Sequence, residues 1–250
     1  MLKPYPKLIK FSREKERWIL GAIVYKLNRL ANSVLGKKFT LQLTLNLSLI
    51  AWRIAYENSY VYFGSKFKDS TYGITPELLG NYLDKNCTVI DIGCGSGRLT
   101  KMASKIAKKA LGIDYSPNSI AFANKFNSTN NTVYICGDLR TMDLQEQFDV
   151  AIMSGVLEHV DEPEKFLVRL HTIAKVLIIE VPDLEADPLN LARYNLSTRI
   201  YSDDDHVREY THDALLSHLQ VAGWEIIHLS SQGMQITVVA KPSKFRLGMV

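Results

Sequence analysis

The chain has 250 residues, 46% of them apolar and 22% charged. These proportions exclude wholesale disorder and leave enough chain for a full hydrophobic core. Nowhere do 18 uncharged residues run together, and the greasy stretch Phe39 to Trp52 is 14 residues carrying Thr, Gln, Asn and Ser, which argues against a membrane-spanning helix.

Lys and Pro crowd the N-terminus with no apolar core ahead of a cleavage site, so no secretory leader is expected. Cys87, Cys94 and Cys136 form no CxxC pair, which suits a reducing cytoplasm. The net charge of +4 is uneven. Residues 1–40 carry ten Lys/Arg and two Glu, the remainder twenty Lys/Arg against twenty-four Asp/Glu. That basic segment is either a solvated helix face or a contact for an anionic partner: a membrane surface, a polyanion or a phosphorylated substrate.

In chain order, Trp18, Ala22, Tyr25 and Arg29, with Ile19, Ile23, Leu27 and Leu30 beside them, predict a helix. Residues 41–52 alternate with period two, yet Leu41, Leu45 and Leu49 share a helical stripe. The run continues through Arg53, Ala55 and Glu57 without turn residues, so a helix is expected. Tyr56, Tyr60, Tyr62, Phe63, Phe67 and Tyr72 then form an aromatic stretch suited to packing. Residues 1–75 are thus expected to form a helical extension that folds over the ligand cleft, and 76–250 the main domain.

From residue 87 short apolar runs alternate with helical periods. Strands are expected at 88–93, 110–114, 132–138, 148–155 and 175–183. Leu99, Met102, Ala103 and Ile106 mark one helix; Ser116 and Pro117 cap and open the next. Phe166, Leu167, Leu170 and Ile173 mark a third. Thr211 caps a helix that Gly223 ends. The runs 224–230 and 235–241 are close enough to pair as a hairpin. The fold class is therefore α/β: a doubly wound, seven-stranded, mostly parallel sheet with an antiparallel C-terminal hairpin, plus the N-terminal extension. Its ligand belongs at the C-terminal ends of the strands.

The turn VIDIGCGSG (89–97) joins the first strand to the first helix of this domain. Gly93, Gly95 and Gly97 allow a sharp turn and close approach of a ligand. Position 98 is Arg98, where a dinucleotide fingerprint needs glycine or alanine, and no phosphate-loop Gly-Lys-Ser/Thr follows.

These residues resemble the class I S-adenosylmethionine-dependent methyltransferases of small-molecule type. The resemblance covers about 155 residues: the turn with Asp91, the GIDYS segment 112–116, the CGDL segment 136–139, SGVLEHV at 154–160 and, more loosely, 206–224. It implies S-adenosylmethionine as cofactor and S-adenosylhomocysteine as product. It further implies that the glycine turn packs on the amino-acid part of the cofactor, that Asp114, with Tyr115 beside it, binds the ribose hydroxyls, that Asp138 binds the adenine amine with Leu139 on the ring, and that the segment from Ser154 lines the transfer site. Ionised carboxylates only accept hydrogen bonds, which suits a diol and an amine.

His159, just past the fourth strand, is the candidate general base, since imidazole titrates near neutral pH. Its alternative is a structural histidine. Glu158 beside it offers a second metal ligand, but no third is evident and no metal is expected. Glu158, His206, Arg208 and Tyr210 are candidate acceptor contacts, the last three in a polar loop headed by the aspartates 203–205. The expected activity is methyl transfer to a small-molecule or glycan acceptor, at a hydroxyl. Alternatives are a ribosomal-RNA or other nucleic-acid methyltransferase, or an inactive cofactor-binding scaffold. The Asp/Asn-Pro-Pro-Tyr/Phe signature of many nitrogen-methylating nucleic-acid enzymes is missing, so no DNA partner is expected.

Overall fold

A computed structural model describes residues 19–64, 73–142, 144, 146–200 and 205–244. Trp18, Phe67, Tyr72, Asp203, Asp204 and the basic residues before position 19, all used above, lie outside that set. The chain divides into two compact units, Met1–Ser70 with Pro188–Asp204, and Thr71–Asp187 with Asp205–Val250.

The first unit holds α1 (Ile19–Val34), α2 (Lys37–Phe63) and a later helix, α7 (Leu189–Asn195). The ambiguous stretch is helical throughout. Its polar residues bond back onto the helix: the Thr44 hydroxyl donates to the Thr40 carbonyl at 2.9 Å and the Ser48 hydroxyl to that of Leu45 at 2.7 Å. Alternate Thr and Ser thus sit in a helix without stranded donors. The Arg193 guanidinium donates to Ser48 Oγ and the Gln42 amide to the Leu196 carbonyl, tying α7 to α2.

The second unit opens with α3 (Pro76–Gly80), capped by Thr75. It continues through β1 (Thr88–Ile92), α4 (Arg98–Ser104), β2 (Lys109–Asp114), α5 (Pro117–Phe126), β3 (Thr132–Cys136), β4 (Phe148–Ser154), α6 (Pro163–Arg169) and β5 (Ala174–Pro182). After α7, α8 (His212–Val221), β6 (Trp224–Gln232) and β7 (Gln235–Pro242) complete it. The expected caps hold: Ser116 Oγ accepts from Ser119 N–H, and Thr211 Oγ1 from Ala214 N–H. Helix α4 is shorter than its apolar period suggested, ending at Ser104 before Ile106.

The seven strands form one sheet in the order β3-β2-β1-β4-β5-β7-β6. Strands β1 to β5 run parallel and β7 pairs antiparallel with both β5 and β6, which is the expected architecture. The central strands are apolar on both faces: Val89, Ile90, Val150, Ile152, Ile178 and Ile179 are all 1% exposed or less. Helices cover both faces, as a parallel sheet requires. Trp224 closes one end of the core, its indole N–H donating to the Leu167 carbonyl at 2.9 Å. Order reverses between β1 and β4, so the crevice above their C-terminal ends is where a ligand fits.

Candidate functional site

A cavity of about 590 Å³ lies at that edge, within the usual range for small-ligand sites. Most of its lining comes from the ends of β1 to β4 and the segments that follow them: Gly93 and Gly95, Asp114 and Tyr115, Asp138 and Leu139, then His159, with Val156, Val160 and Phe166 supplying apolar wall; Asp205 joins from the segment before α8.

The glycine turn is fastened to β2 through Asp114. Its Oδ2 accepts the Gly95 N–H at 2.8 Å and its Oδ1 accepts the Ser116 N–H at 2.8 Å. Each carboxylate oxygen has two acceptor directions, so beyond these two bonds each keeps one. At Gly95 (φ +51) a side chain would meet nothing within 4 Å, so the backbone there borders open space. Asp138 is held by Arg140 through a forked ion pair, and this guanidinium keeps its carboxyl below the usual carboxylate range. Tyr115 is 72% exposed at the rim.

His159 sits on a single turn of 3₁₀ helix after β4, and its Nδ1 lies 3.1 Å from the Asp205 carbonyl oxygen. A carbonyl only accepts, so Nδ1 carries a proton, and in the neutral ring Nε2 holds the lone pair. The Asp205 carboxylate is 3.6 Å from the same nitrogen. The His206 ring packs edge-on against His159 at 4.8 Å, and its own Nδ1 meets Glu209 Oε1 at 3.0 Å. Glu158 is 2% exposed; burial pushes its carboxyl up to about 7, and its Oε2 has no partner. One ligand atom each from Glu158, His159 and His206 lie within 4.8 Å of one another, so the fold supplies the third potential ligand that sequence spacing did not show.

Several candidates stand behind the cavity wall. Asp91 is 1% exposed and accepts the Thr100 hydroxyl at 2.6 Å, tying β1 to α4; burial pushes its carboxyl up to about 6. Gly97 has φ +79, and a Cβ there would lie 2.7 Å from the Tyr134 hydroxyl, so it serves the turn and not the lining. The Ser154 hydroxyl donates to Glu180 Oε1, whose other oxygen receives the N–H groups of Gly73 and Ile74. Arg208 donates to the Asp161 carbonyl. Tyr210 is 1% exposed and its hydroxyl meets His218 Nδ1 at 3.3 Å. None of Glu158, His206, Arg208 and Tyr210 lines the cavity. Sequence reading missed Arg140 and Asp205 as lining residues; Arg140 acts on Asp138 two positions away, and Asp205 reaches His159 through a tertiary contact that no local pattern marks.

Residues 71–229 match the family model of the methyltransferase domain, a span containing every strand of the parallel sheet. The chain belongs to the class I S-adenosylmethionine-dependent methyltransferases. The methyltransferase is 30% identical over 181 residues to the ribosomal protein L11 methyltransferase of Alkaliphilus oremlandii, covering 72% of this chain and 50% of that protein. It is 34% identical over 89 residues to the ubiquinone biosynthesis O-methyltransferase of Rhodopseudomonas palustris BisB18, covering 35% of each. The chain therefore spans half or less of these curated relatives. An S-adenosylmethionine-dependent methyltransferase from Mesorhizobium loti shares the fold, with a TM-score of 0.53 at 18% identity over 66% of this chain and 96% of that one. The methyl donor is S-adenosylmethionine. The seven-stranded sheet with its antiparallel hairpin is thus the methyltransferase architecture expected from the sequence.

Proposed function

We propose that the enzyme methylates a hydroxyl oxygen of a small-molecule or glycan acceptor, with His159 as general base and the cavity from Gly95 to Asp138 holding the donor. The observation that carries this is the Asp205 carbonyl on His159 Nδ1, which leaves the lone pair of Nε2 for a proton at the cavity wall. Bound S-adenosylmethionine supplies an electrophilic sulfonium methyl. The residues of the chain do the rest.

Asp114 offers its two remaining acceptor directions to a vicinal diol, and its grip on the Gly95 N–H fixes the turn that faces the amino-acid part of the donor. Asp138 accepts from an exocyclic amine in place of one of the Arg140 donors that now fill its two oxygens, and Leu139, 4% exposed, packs against a flat ring. Val156, Val160 and Phe166 keep water from the reacting atoms, which favours a charge-dispersing transfer. His159 Nε2 takes the hydroxyl proton as the oxygen attacks. The imidazolium so formed keeps Nδ1–H on the Asp205 carbonyl, with the nearby carboxylate stabilising its charge.

The curated relatives include enzymes named for oxygen and for protein acceptors, so the product decides. The test is to incubate the enzyme, labelled S-adenosylmethionine and a metabolite extract, then treat the labelled products with alkali. An alkali-stable methyl ether on a small molecule supports the reading. Release of methanol would mark a carboxyl ester, and label confined to protein or RNA would mark a different acceptor class; either outcome refutes it.

A further inference from the structure

The first unit carries an apolar surface that its own residues do not cover. On α1, Ile23, Leu27, Leu30 and Val34 recur at the i, i+4, i+7, i+11 spacing of one helical stripe. They are 49%, 59%, 60% and 71% exposed. Residues 22–30 of this helix are exposed without exception. A 16-residue helix gains most of its stability by burying such a stripe, and in water alone it is marginal. Contiguous exposed apolar residues of this kind mark contact sites.

Charge decides what covers the stripe. Between residues 19 and 56 the chain has five cations, Lys26, Arg29, Lys37, Lys38 and Arg53, and no Asp or Glu. Lys26 and Arg29 stand off the stripe on α1, and Lys37 and Lys38 open α2 just beyond it; all four are exposed. The sequence before residue 19 adds six more cations against two Glu. Two copies of this chain meeting on that surface would set like charges together. An anionic layer would not, and long Lys and Arg side chains reach past a buried apolar stripe to a charged interface. Exposed apolar residues on one side with flanking cations are the marks of a helix lying in the plane of a membrane surface. No helix among the described residues is long and apolar enough to cross one.

We infer that α1, with the basic start of α2, is a docking site for an anionic phospholipid surface. The stripe enters the boundary between headgroups and acyl chains, and Lys26, Arg29, Lys37 and Lys38 stay with the lipid phosphates. The proposal does not depend on the identity of the methyl acceptor.

The experiment is co-sedimentation of the full chain with vesicles of phosphatidylcholine alone and of phosphatidylcholine mixed with phosphatidylglycerol. Binding is expected only to the mixed vesicles, falling as salt is raised. Leu27→Glu with Leu30→Glu should abolish it. Lys26→Gln with Arg29→Gln should reduce partitioning roughly 30-fold, about fivefold for each cation at an anionic surface. Both variants should keep wild-type affinity for S-adenosylhomocysteine, which shows that they fold. Equal binding to both kinds of vesicle, or binding indifferent to the loss of the two cations, would overturn the assignment. So would absence of vesicle binding together with a dimer that Leu27→Glu and Leu30→Glu split in sedimentation equilibrium, because a second copy would then be the occupant.

Discussion

Asp114→Ala is the perturbation with the clearest expected size. The carboxylate holds the Gly95 and Ser116 N–H groups at 2.8 Å each, and its two spare acceptor directions are assigned to the ribose diol. Hydrogen bonds to a charged group are each worth about 1.5–3 kcal/mol. Water replaces part of that loss in an open cavity, so binding of S-adenosylhomocysteine should weaken by about 1–3 kcal/mol, roughly 5- to 150-fold. The same change frees two backbone donors at the turn, so the fold should lose about 1–2 kcal/mol as well. Asp114→Asn separates the two effects: its oxygen retains one backbone donor, but its NH₂ cannot accept from a hydroxyl. Titration calorimetry reads the affinity and thermal unfolding reads the stability. A folded Asp114→Ala protein that binds with unchanged affinity would refute the ribose assignment.

His159→Ala should lower turnover of the acceptor by about 10²–10⁴-fold while leaving S-adenosylhomocysteine affinity within a few-fold; full turnover in a folded variant would remove His159 from the chemistry. Glu158, raised from 4.5 to about 7 by burial, prefers its protonated form in the folded state. Its contribution to stability is therefore complete below pH ~4.5 and lost as pH rises through about 7. Relative to Glu158→Gln the wild type should lose up to about 3 kcal/mol across that window, read by denaturant unfolding at a series of pH values; parallel profiles for the two proteins would contradict the burial argument. Gly97→Ala forces an L side chain into φ +79 with its Cβ 2.7 Å from the Tyr134 hydroxyl. It should cost about 2–4 kcal/mol of stability, and an unchanged Tm would show that the turn yields freely.

Particular elements show how far the sequence could be read. The β1 to β5 alternation was legible because parallel strands buried on both faces appear as unbroken apolar runs between helical periods. Asp114 and Asp138 were singled out by the resemblance to the methyltransferases, and both stand at or just after the end of such a run, on the cavity lining. The helical reading of 41–52 rested on the absence of turn residues, and α2 does run unbroken to Phe63. The Leu residues alternate, yet the intervening Thr and Ser bond back onto their own helix. Helix α7, the forked pair of Arg140 with Asp138, and the Asp205 carbonyl on His159 were not legible. The last joins residues 46 positions apart, and no local periodicity encodes a loop-to-loop contact. Asp91 and Gly97 stand in the expected motif, but motif position does not tell a residue facing the ligand from one bracing the turn behind it.

The most direct test of the account is the crystal structure of the enzyme bound to S-adenosylhomocysteine. The account predicts both ribose hydroxyls within hydrogen-bond distance of Asp114, the adenine against Leu139 with its amine on Asp138, and the sulfur in the space bordered by Gly95 and His159. A ligand bound elsewhere, or one in this cavity that leaves Asp114 untouched and its sulfur far from His159, would contradict it.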